Sequence, residues 1–420
     1  ETAAARRGSP ADTRIEVLWP DGRGVERVRL QALRNSAITF RPETSDETGI
    51  RFENWEEMDL NDLLWCRGEV MKIFRAPQGP DSDTLMYSAN GRRAGYFDTT
   101  PMSHYVEEPV YLVAPLDTGA PPLANGLPVF TLLYENDDAA RRDLSSDSRV
   151  FFTAPADGDF VARVTDARGF GGPEFAYELV IREASPAFSV ALQGANPTVA
   201  PGSGQPFSIS ADRRDGFDGP ITVTLQNLPP GWRVSTPLLI EAGHDEAEGV
   251  LYADAGAAAP SDAAWDAVTV VATAEVQGRP VAMAVPSLGR PKLAPEPPRI
   301  RVHLAPIESP APPAETLFPV VSLEPGGTAR AHLRIERRGF DGVVTFSVDN
   351  LPHGVIVENL GLNGITFLAD ENEREISLSA ARWVEPQDRL FYALENQAGR
   401  QTSSPVLLHV RRPALRAERR

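Results

Sequence analysis

The residues of this chain that are best suited to chemistry are a group of aspartates in the stretch ENDDAARRDLSSD, which begins at Glu135. Clustered carboxylate oxygens are the ligands that a hard cation such as Ca²⁺ prefers. The sequence therefore predicts a calcium site, and calcium is the only cofactor that we expect. The alternative is a solvated acidic loop with a short helical turn. The predicted ligands are Asp137, Asp138, Asp143 and Asp147.

The other chemically versatile residues do not combine into a catalytic group. Residues 97–100 have the sequence FDTT, but they lack the glycine and the second copy that a proton-sharing carboxylate pair needs. Asp98 is therefore predicted to bond its own backbone in a turn. Cys66 has no histidine nearby in the sequence and is expected to be a small buried apolar residue. The six histidines have no zinc-binding spacing and are expected on the surface or on strands, so we expect no catalytic residue and no enzyme.

The overall charge limits the classes of partner. The chain of 420 residues has 58 acidic and 41 basic side chains, which gives a formal net charge of −17. This charge repels phosphate backbones, so we expect no nucleic-acid partner. No apolar run approaches the roughly 20 residues that span a bilayer, so no membrane insertion is expected. A single cysteine allows no intrachain disulfide, and stability must come from packing.

One sequence pattern occurs twice. The stretch GFDGPITVTLQNLPPG begins at Gly216, and GFDGVVTFSVDNLPHG begins at Gly339. In both copies apolar and polar residues alternate, which predicts half-buried strands over residues 221–225 and 344–348. The Asp-Gly pair that precedes each strand is expected to form a tight turn with a positive φ.

The repeated pattern indicates two domains of the same kind. Each copy belongs to a unit of about 110 residues with several short strands, a length typical of an immunoglobulin-like sandwich. Phe217 and Phe340 are expected to occupy equivalent, largely buried places in the two units. The stretch LPPGWRV in the first unit resembles the bacterial immunoglobulin-like modules of the NEW3 type. That resemblance implies modules that accompany exported hydrolases.

Short motifs between residues 135 and 182 form a second pattern, made up of Asn136-Asp137-Asp138, Asp147-Ser148-Arg149, Phe152, Ala154-Pro155, Asp157-Gly158, Arg163-Val164, Gly171-Gly172 and Tyr177-Glu178-Leu179. They resemble the second half of the bacterial pre-peptidase C-terminal (PPC) domain, a β-sandwich found beside the catalytic domains of secreted peptidases. Residues 5–25 resemble the middle of that domain. Alternating apolar residues predict strands over 160–164 and 177–181, joined by the glycine-rich turn at 169–172.

These patterns predict an all-β chain of tandem β-sandwiches. Residues 1–184 are expected to form a PPC-like jelly-roll or sandwich with an inserted β-rich subdomain at about 26–134, and residues 413–420 a basic tail. The two immunoglobulin-like modules are expected at residues 186–292 and 299–412. The proline-rich stretch 288–300 is predicted to be a linker, and 306–319 an extended loop of the last module.

The first domain is expected to lack the opening strands of the PPC family. An open sheet edge or uncovered apolar face would then favour association with another chain through this domain.

The predicted function is that of a non-catalytic accessory region of an exported bacterial multidomain protein, located outside the cell or in the cell envelope. It would act as a spacer, scaffold or adhesion module with a protein or glycan partner. The alternative is a carbohydrate-binding region that targets an attached hydrolase or peptidase. Aromatic residues of the inserted subdomain could supply a sugar-stacking surface, although most of these rings are expected to be buried. They are Trp55, Trp65, Tyr87, Tyr96, Phe97, Tyr105 and Tyr111.

Overall fold

The computed structural model describes residues 1–77, 79, 81–307, 318–358 and 364–412, and it confirms the all-β fold. The chain divides into two compact units, residues 1–184 and 185–420. The predicted basic tail at 413–420 and most of the predicted loop at 306–319 lie outside the described residues. Within the described ranges, no helix is long and apolar enough to cross a membrane.

The first unit is built from short strands and two 3₁₀ turns, at Ala5–Arg7 and Trp55–Glu57. Its described strands are β1 (Thr2–Ala3), β2 (Thr13–Leu18), β3 (Glu26–Ala37), β4 (Gly49–Ile50), β5 (Leu63–Cys66), β6 (Glu69–Arg75), β7 (Thr84–Met86), β8 (Ser88–Ala89), β9 (Arg92–Arg93), β10 (Pro109–Leu116), β11 (Val129–Leu133), β12 (Glu135–Asn136), β13 (Val161–Asp166) and β14 (Glu178–Leu179).

A seven-stranded sheet, in the order β11-β3-β10-β5-β6-β7-β4, dominates the first unit. Trp65 on β5 stacks on Phe130 of β11, with ring centroids 3.7 Å apart. Because β10 and β3 lie between these strands and neighbouring strands are about 4.8 Å apart, the sheet must be strongly curved. Apolar side chains pack on both of its faces. One face carries Ile38, Ile50, Leu64, Met71 and Val110, and the other carries Leu30, Ala32, Val70, Val113 and Leu132.

The end of the first unit is exposed. Strand β13 pairs with β2 in the sheet β12-β2-β13, and β14 pairs with β1. Strands therefore lie within both predicted segments, 160–164 and 177–181, and they pair with β2 and β1 rather than with each other. Several large apolar side chains of this region point to solvent, and association through them stays a prediction. They are Val161, Phe170, Tyr177 and Ile181.

The second unit contains two sandwiches and one short helix, α1 (Asp262–Asp266), capped by the Ser261 side chain. Its described strands are β15 (Ala187–Gln193), β16 (Thr198–Val199), β17 (Ser203–Arg214), β18 (Ile221–Gln226), β19 (Trp232–Val234), β20 (Leu238–Ile240), β21 (Glu246–Ala253), β22 (Thr269–Val276), β23 (Arg279–Val285), β24 (Lys292–Leu293), β25 (Ile300–Pro306), β26 (Val320–Leu323), β27 (Thr328–Arg337), β28 (Val344–Asp349), β29 (Val355–Glu358), β30 (Ile365–Phe367), β31 (Glu373–Ala380), β32 (Gln387–Glu395) and β33 (Val406–Val410).

The two sandwiches share the order of eight strands, as expected for an internal repeat. They differ in that β26 joins a sheet of the second sandwich, whereas β16 of the first pairs only with β24. We call them module 1, formed by β15–β24, and module 2, formed by β25–β33. Module 1 packs the sheet β15-β17-β21-β19 against β20-β18-β22-β23, and module 2 packs β25-β27-β31-β29 against β26-β33-β32-β28-β30. Each module encloses its own apolar core, so both are immunoglobulin-like sandwiches.

The repeated Gly-Phe-Asp-Gly motif is explained by packing at its last glycine. A Cβ on Gly219 would lie 3.1 Å from the ring of Phe217, and a Cβ on Gly342 would lie 3.1 Å from the ring of Phe340. The predicted positive φ at the Asp-Gly pair is wrong, because the left-handed backbone lies at the first glycine, with φ of 77° at Gly216 and a similar value in module 2. The last glycine therefore leaves room for the close approach of the phenylalanine ring.

The proline-rich stretch at 288–300 is not a free linker. Its strand β24 pairs in parallel with β16 of module 1. The backbone N–H of Lys292 donates to the carbonyl of Pro197 at 2.9 Å, and that of Ala294 donates to Val199 at 2.8 Å. The prediction overlooked that proline-rich segments can still add a strand at a sheet edge.

The two repeated phenylalanines are expected to differ in their contribution to stability. Phe217 is 6% exposed and stacks on Phe188 at 5.3 Å, whereas Phe340 is only partly buried against its core. We expect Phe217→Ala to lower the free energy of unfolding by about 3 kcal/mol, and Phe340→Ala by less. Urea unfolding of both variants and of the exposed control Val343→Ala measures this. Equal losses at all three positions would contradict the packing described here.

Candidate functional site

The first unit contains a cleft of about 740 Å³. Its lining includes the β5–β6 turn with Trp65 and Arg67, the segment 99–103, strand β11 and the acidic segment 135–138. Polar and apolar groups both reach the cleft, which is the usual composition of a ligand site.

The wall at 99–103 is fixed by an unusual backbone. Phe97 and Asp98 both have a positive φ, of 55° and 53°. A Cβ on Gly95 would lie 1.9 Å from the carbonyl oxygen of Thr99, so this turn requires glycine. The predicted turn bond of Asp98 to its own backbone is wrong. Its carboxylate pairs with Arg27 and accepts a 2.9 Å hydrogen bond from the N–H of Phe151.

Thr100 joins this wall to the acidic segment. Its hydroxyl oxygen accepts hydrogen bonds from the backbone N–H groups of Asp137 and Asp138, at 3.0 and 3.1 Å. The side-chain amide of Asn136 donates to the carbonyl of Asp98 at 2.8 Å and to that of Asp138 at 2.6 Å. These two lining segments are therefore held in one hydrogen-bonded arrangement, which preorganises this part of the cleft for a ligand.

Asp137 is the unusual carboxyl of the cleft. Its Oδ1 atom is buried and has no hydrogen-bond partner within the described residues. Burial, followed by the negative charges of Asp138 and Asp12, raises the pKa of Asp137 to about 6. A carboxyl with such a pKa is a hydrogen-bond donor below that pH and an acceptor above it.

The raised pKa of Asp137 predicts a pH-dependent stability. Because the folded state favours the protonated carboxyl, the stabilisation is fully present below about pH 4 and is lost as the pH rises through about 6. We expect Asp137→Asn, which keeps the shape and removes the charge, to raise local stability at pH 7.5 by about 1 kcal/mol, a figure reduced for solvent screening. At pH 4 we expect no gain.

Native-state hydrogen exchange of peptides that cover residues 129–138 measures this difference. Asp157 is exposed, so Asp157→Asn is the matched control, and it should leave the local stability unchanged at both pH 7.5 and pH 4. An equal gain in stability at both pH values would contradict a raised pKa of Asp137 in the folded protein.

The four aspartates predicted to bind calcium do not share one site geometry. Asp147 is fully buried and accepts backbone hydrogen bonds from Ala4 at 2.7 Å and Ala5 at 2.9 Å. The other carboxylates mostly face arginines: Asp143 lies 2.5 Å from Arg149, and Asp138 lies 3.3 Å from Arg142. Calcium binding stays a prediction, and two of the four, Asp137 and Asp138, line the cleft.

The aromatic side chains in the segment 26–134 differ in their exposure to solvent. Trp65 and Phe130 line the cleft, stacked at an interplanar angle of 11°. Of the seven rings named from the sequence, Tyr87 is buried, Tyr105 is 63% exposed and the others are half-buried. Phe130 was not identified from the sequence, because only the curvature of the sheet brings it to Trp65.

A buried ionic network, which we call the Glu69 network, lies directly behind the 99–103 wall. The Glu69 carboxylate and the Arg93 guanidinium are both fully buried and form two hydrogen bonds, of 2.7 and 3.1 Å. Glu69 also accepts from the N–H of Met102 at 2.7 Å, and Arg93 donates to the carbonyl of Met102 at 2.6 Å. The two charges therefore hold the backbone of the cleft wall from behind.

His104 extends this network toward Cys66. Its Nε2 lies 2.9 Å from Glu69, and its Nδ1 lies 2.8 Å from Glu108 and 3.3 Å from Cys66 Sγ. Burial raises the pKa of Glu69, but the hydrogen bond from His104 and the charge of Arg93 outweigh it, so this pKa lies below its ordinary value. Burial, followed by the charges of Glu108 and Glu69, raises the pKa of the Cys66 thiol.

One prediction is wrong here, because His104 is 1% exposed and is not a surface residue. Cys66 is buried as predicted, and its histidine neighbour in space is distant in the sequence. The three atoms Cys66 Sγ, His104 Nδ1 and a Glu108 oxygen lie within 4.8 Å of one another, as a group that could hold a metal ion. Among the described residues, the four aspartates form no such group.

One sequence signal could have identified Glu69. Glu69, Met71 and Ile73 occupy alternate positions of β6, so they lie on the same face of the strand, and all three are buried. A charged residue at an inward position needs a partner of opposite charge. The sequence offers no comparable signal for Arg93, which lies on the two-residue strand β9.

Comparisons with known proteins give only weak likenesses. No family model and no curated protein matches the chain. Among solved structures, titin A168–A169 is 15% identical, with 54% of this chain and 98% of that chain covered and a TM-score of 0.17. Domains 5–6 of the S-layer protein SbsC are 13% identical (55% and 100% covered, TM-score 0.18). The D0-D1 domain of intimin is 12% identical (53% and 97% covered, TM-score 0.20). At this level of similarity no function can be transferred.

Proposed function

We propose that the chain is a non-catalytic spacer or scaffold region of an exported bacterial multidomain protein. The observation that carries the proposal is the buried contact between modules 1 and 2. Tyr392 is fully buried, packs with Val250 of module 1, and donates from its hydroxyl to the carbonyl of Gly249 at 3.2 Å. A spacer needs a fixed geometry between consecutive domains, and a well-packed interface provides it.

Polar contacts extend this interface. Arg389 of module 2 lies 3.1 Å from the Glu241 carboxylate of module 1, and the side chains of Ser203 and Gln401 are 2.7 Å apart. A Cβ on Gly204 would lie 2.4 Å from Thr402 Oγ1, so the two backbones approach closely there. These contacts restrict both bending and rotation of one module against the other.

The chemistry of the described residues agrees with a non-catalytic role. The arrangement nearest to a nucleophile with a base is Cys66 with His104, and both side chains are buried. A thiol with a raised pKa in a dry environment is a poor nucleophile. A turnover assay on a broad panel of peptides and glycosides is expected to detect no activity.

Spin-label distances test the spacer proposal directly. We place nitroxides at Gln193→Cys in module 1 and Asp370→Cys in module 2, both exposed, while the buried Cys66 stays unlabelled. We expect a single narrow distance distribution. Adding Tyr392→Ala should broaden it. A broad distribution in the parent protein would reject a rigid spacer.

The cleft of the first unit favours a second function, carbohydrate binding. Its half-buried Trp65 and Phe130 offer an aromatic surface, and Asp137, Arg67 and Thr99 offer polar groups close to it. Sugar rings bind to sites with this combination through stacking and hydrogen bonds. The region would then target an attached hydrolase or peptidase to its substrate.

Polysaccharide pull-down and a glycan array test this function. We expect binding that Trp65→Ala removes and that Tyr105→Ala, an exposed ring outside the cleft, leaves unchanged. Binding that survives Trp65→Ala, or no binding to any glycan, would leave the spacer role as the only proposed function.

A further inference from the structure

The group Cys66, His104 and Glu108 has the form of a metal site. His104 and Glu108 are four residues apart in the segment before β10, and Cys66 ends strand β5. Their ligand atoms come together from two separate parts of the chain within 4.8 Å. A thiol, an imidazole nitrogen and a carboxylate oxygen are the donors that zinc uses.

The orientation of the His104 ring supports this. Its Nε2 faces Glu69 at 2.9 Å, and Glu69 is itself held by Arg93. A histidine that binds a metal through one nitrogen usually donates its other N–H to a carboxylate in this way. With the ring hydrogen on Nε2, the lone pair of Nδ1 points at Cys66 and Glu108.

The contact between Nδ1 and Glu108 needs a positive charge. The nitrogen and the carboxylate oxygen are 2.8 Å apart, and both are acceptors when Nε2 carries the only ring hydrogen. Such a pair is stable only with a proton or a cation between the two atoms. Cys66 Sγ, 3.3 Å from the same nitrogen, adds a third electron-rich atom to that point.

We propose that Cys66, His104 and Glu108 bind one Zn²⁺ ion, with a fourth, exchangeable ligand. Zinc bonds of about 2.0–2.3 Å at tetrahedral angles place their ligand atoms about 3.3–3.6 Å apart. The Sγ–Nδ1 distance of 3.3 Å lies at the lower end of this range, and the 2.8 Å distance between Nδ1 and Glu108 must open by at least about 0.5 Å when the ion binds.

The surroundings suit a zinc ion that keeps one position for a solvent ligand. A thiolate and a carboxylate balance the two charges of the ion, the neighbouring Glu69–Arg93 pair is already neutral, and Arg67 lies 3.2 Å from the other oxygen of Glu108. Cys66 lies in the apolar cluster with Leu64 and Met71, which keeps water from the thiol side of the site. Glu108, whose side chain is 12% exposed, is the ligand nearest to solvent and gives the ion a path of access.

Metal titration tests the site. Chelator-treated protein is titrated with Zn²⁺ by calorimetry and with Co²⁺ by absorption spectroscopy, where a thiolate ligand gives an intense near-ultraviolet charge-transfer band. We expect one ion per chain and that band. Cys66→Ser should remove the band, and His104→Gln should weaken zinc binding by at least about 100-fold.

The control is His409→Gln, which changes a histidine that pairs with Asp388 at the surface of module 2 and should bind zinc like the parent. Circular dichroism shows whether each variant is folded. In the folded parent protein, absence of the Co²⁺ band overturns the proposal. So does zinc affinity that is the same in Cys66→Ser as in the parent.

Discussion

Replacement of Arg93 by methionine should destabilise the first unit by roughly 3–5 kcal/mol, because it leaves the Glu69 carboxylate buried without its partner. Arg93 is fully buried and donates to Glu69 and to three backbone carbonyls, those of Thr44, Glu47 and Met102. Methionine fills similar space but donates to none of them. Urea unfolding, followed by hydrogen exchange in peptides from β6, measures the loss.

The neighbouring Arg92 is the matched control. It is exposed and lies 3.7 Å from Asp46, so Arg92→Met should cost less than about 1 kcal/mol. The double variant Glu69→Met with Arg93→Met should be less destabilised than the sum of the two single variants. Additive losses in the double variant would show that the two charges do not stabilise one another.

Replacement of Tyr392 by alanine should cost the second unit about 3–5 kcal/mol and separate the unfolding of its two modules. Every residue from Arg389 to Glu395 on β32 is buried, because one face of the strand packs in module 2 and the other meets module 1. Removal of the ring opens a cavity between the modules. We expect one unfolding transition in the parent protein and two in the variant, by calorimetry.

The conservative change separates the ring from its hydroxyl. Tyr392→Phe removes only the 3.2 Å hydrogen bond to Gly249 and should cost about 1 kcal/mol, with a single transition retained. Two transitions already present in the parent protein would mean that the modules fold independently despite their contact.

The internal repeat was the part of the fold that the sequence predicted best. Alternation of apolar and polar residues correctly predicted the strands at 221–225 and 344–348, because each has one face on a core. The repeat also contained an unused signal. Arg213 and Arg337 lie at the ends of the aligned strands β17 and β27, and each donates to several backbone carbonyls, including Gly219 for Arg213 and Gly342 for Arg337.

The candidate site was less accessible from the sequence because it depends on contacts between distant residues. Asp98 and Arg27 are 71 positions apart, and Cys66 and His104 are 38 apart. Such contacts depend on the register and curvature of the large sheet, which alternation alone does not specify. The sequence identified Asp137 as a possible ligand, but only the folded chain shows that its Oδ1 atom is buried and has no donor among the described residues.

The parallel pairs at the ends of each module determine how the second unit responds to tension. Strand β26 lies near the start of module 2 and β33 ends it, and the two are joined over four residue pairs in parallel. After β25 detaches, a force pulling the module apart by its ends draws these strands in opposite directions along their axes. All of their hydrogen bonds are then loaded together, and none can open singly. In module 1 the corresponding strands β16 and β24 share only two pairs. We therefore expect module 1 to extend before module 2 under load.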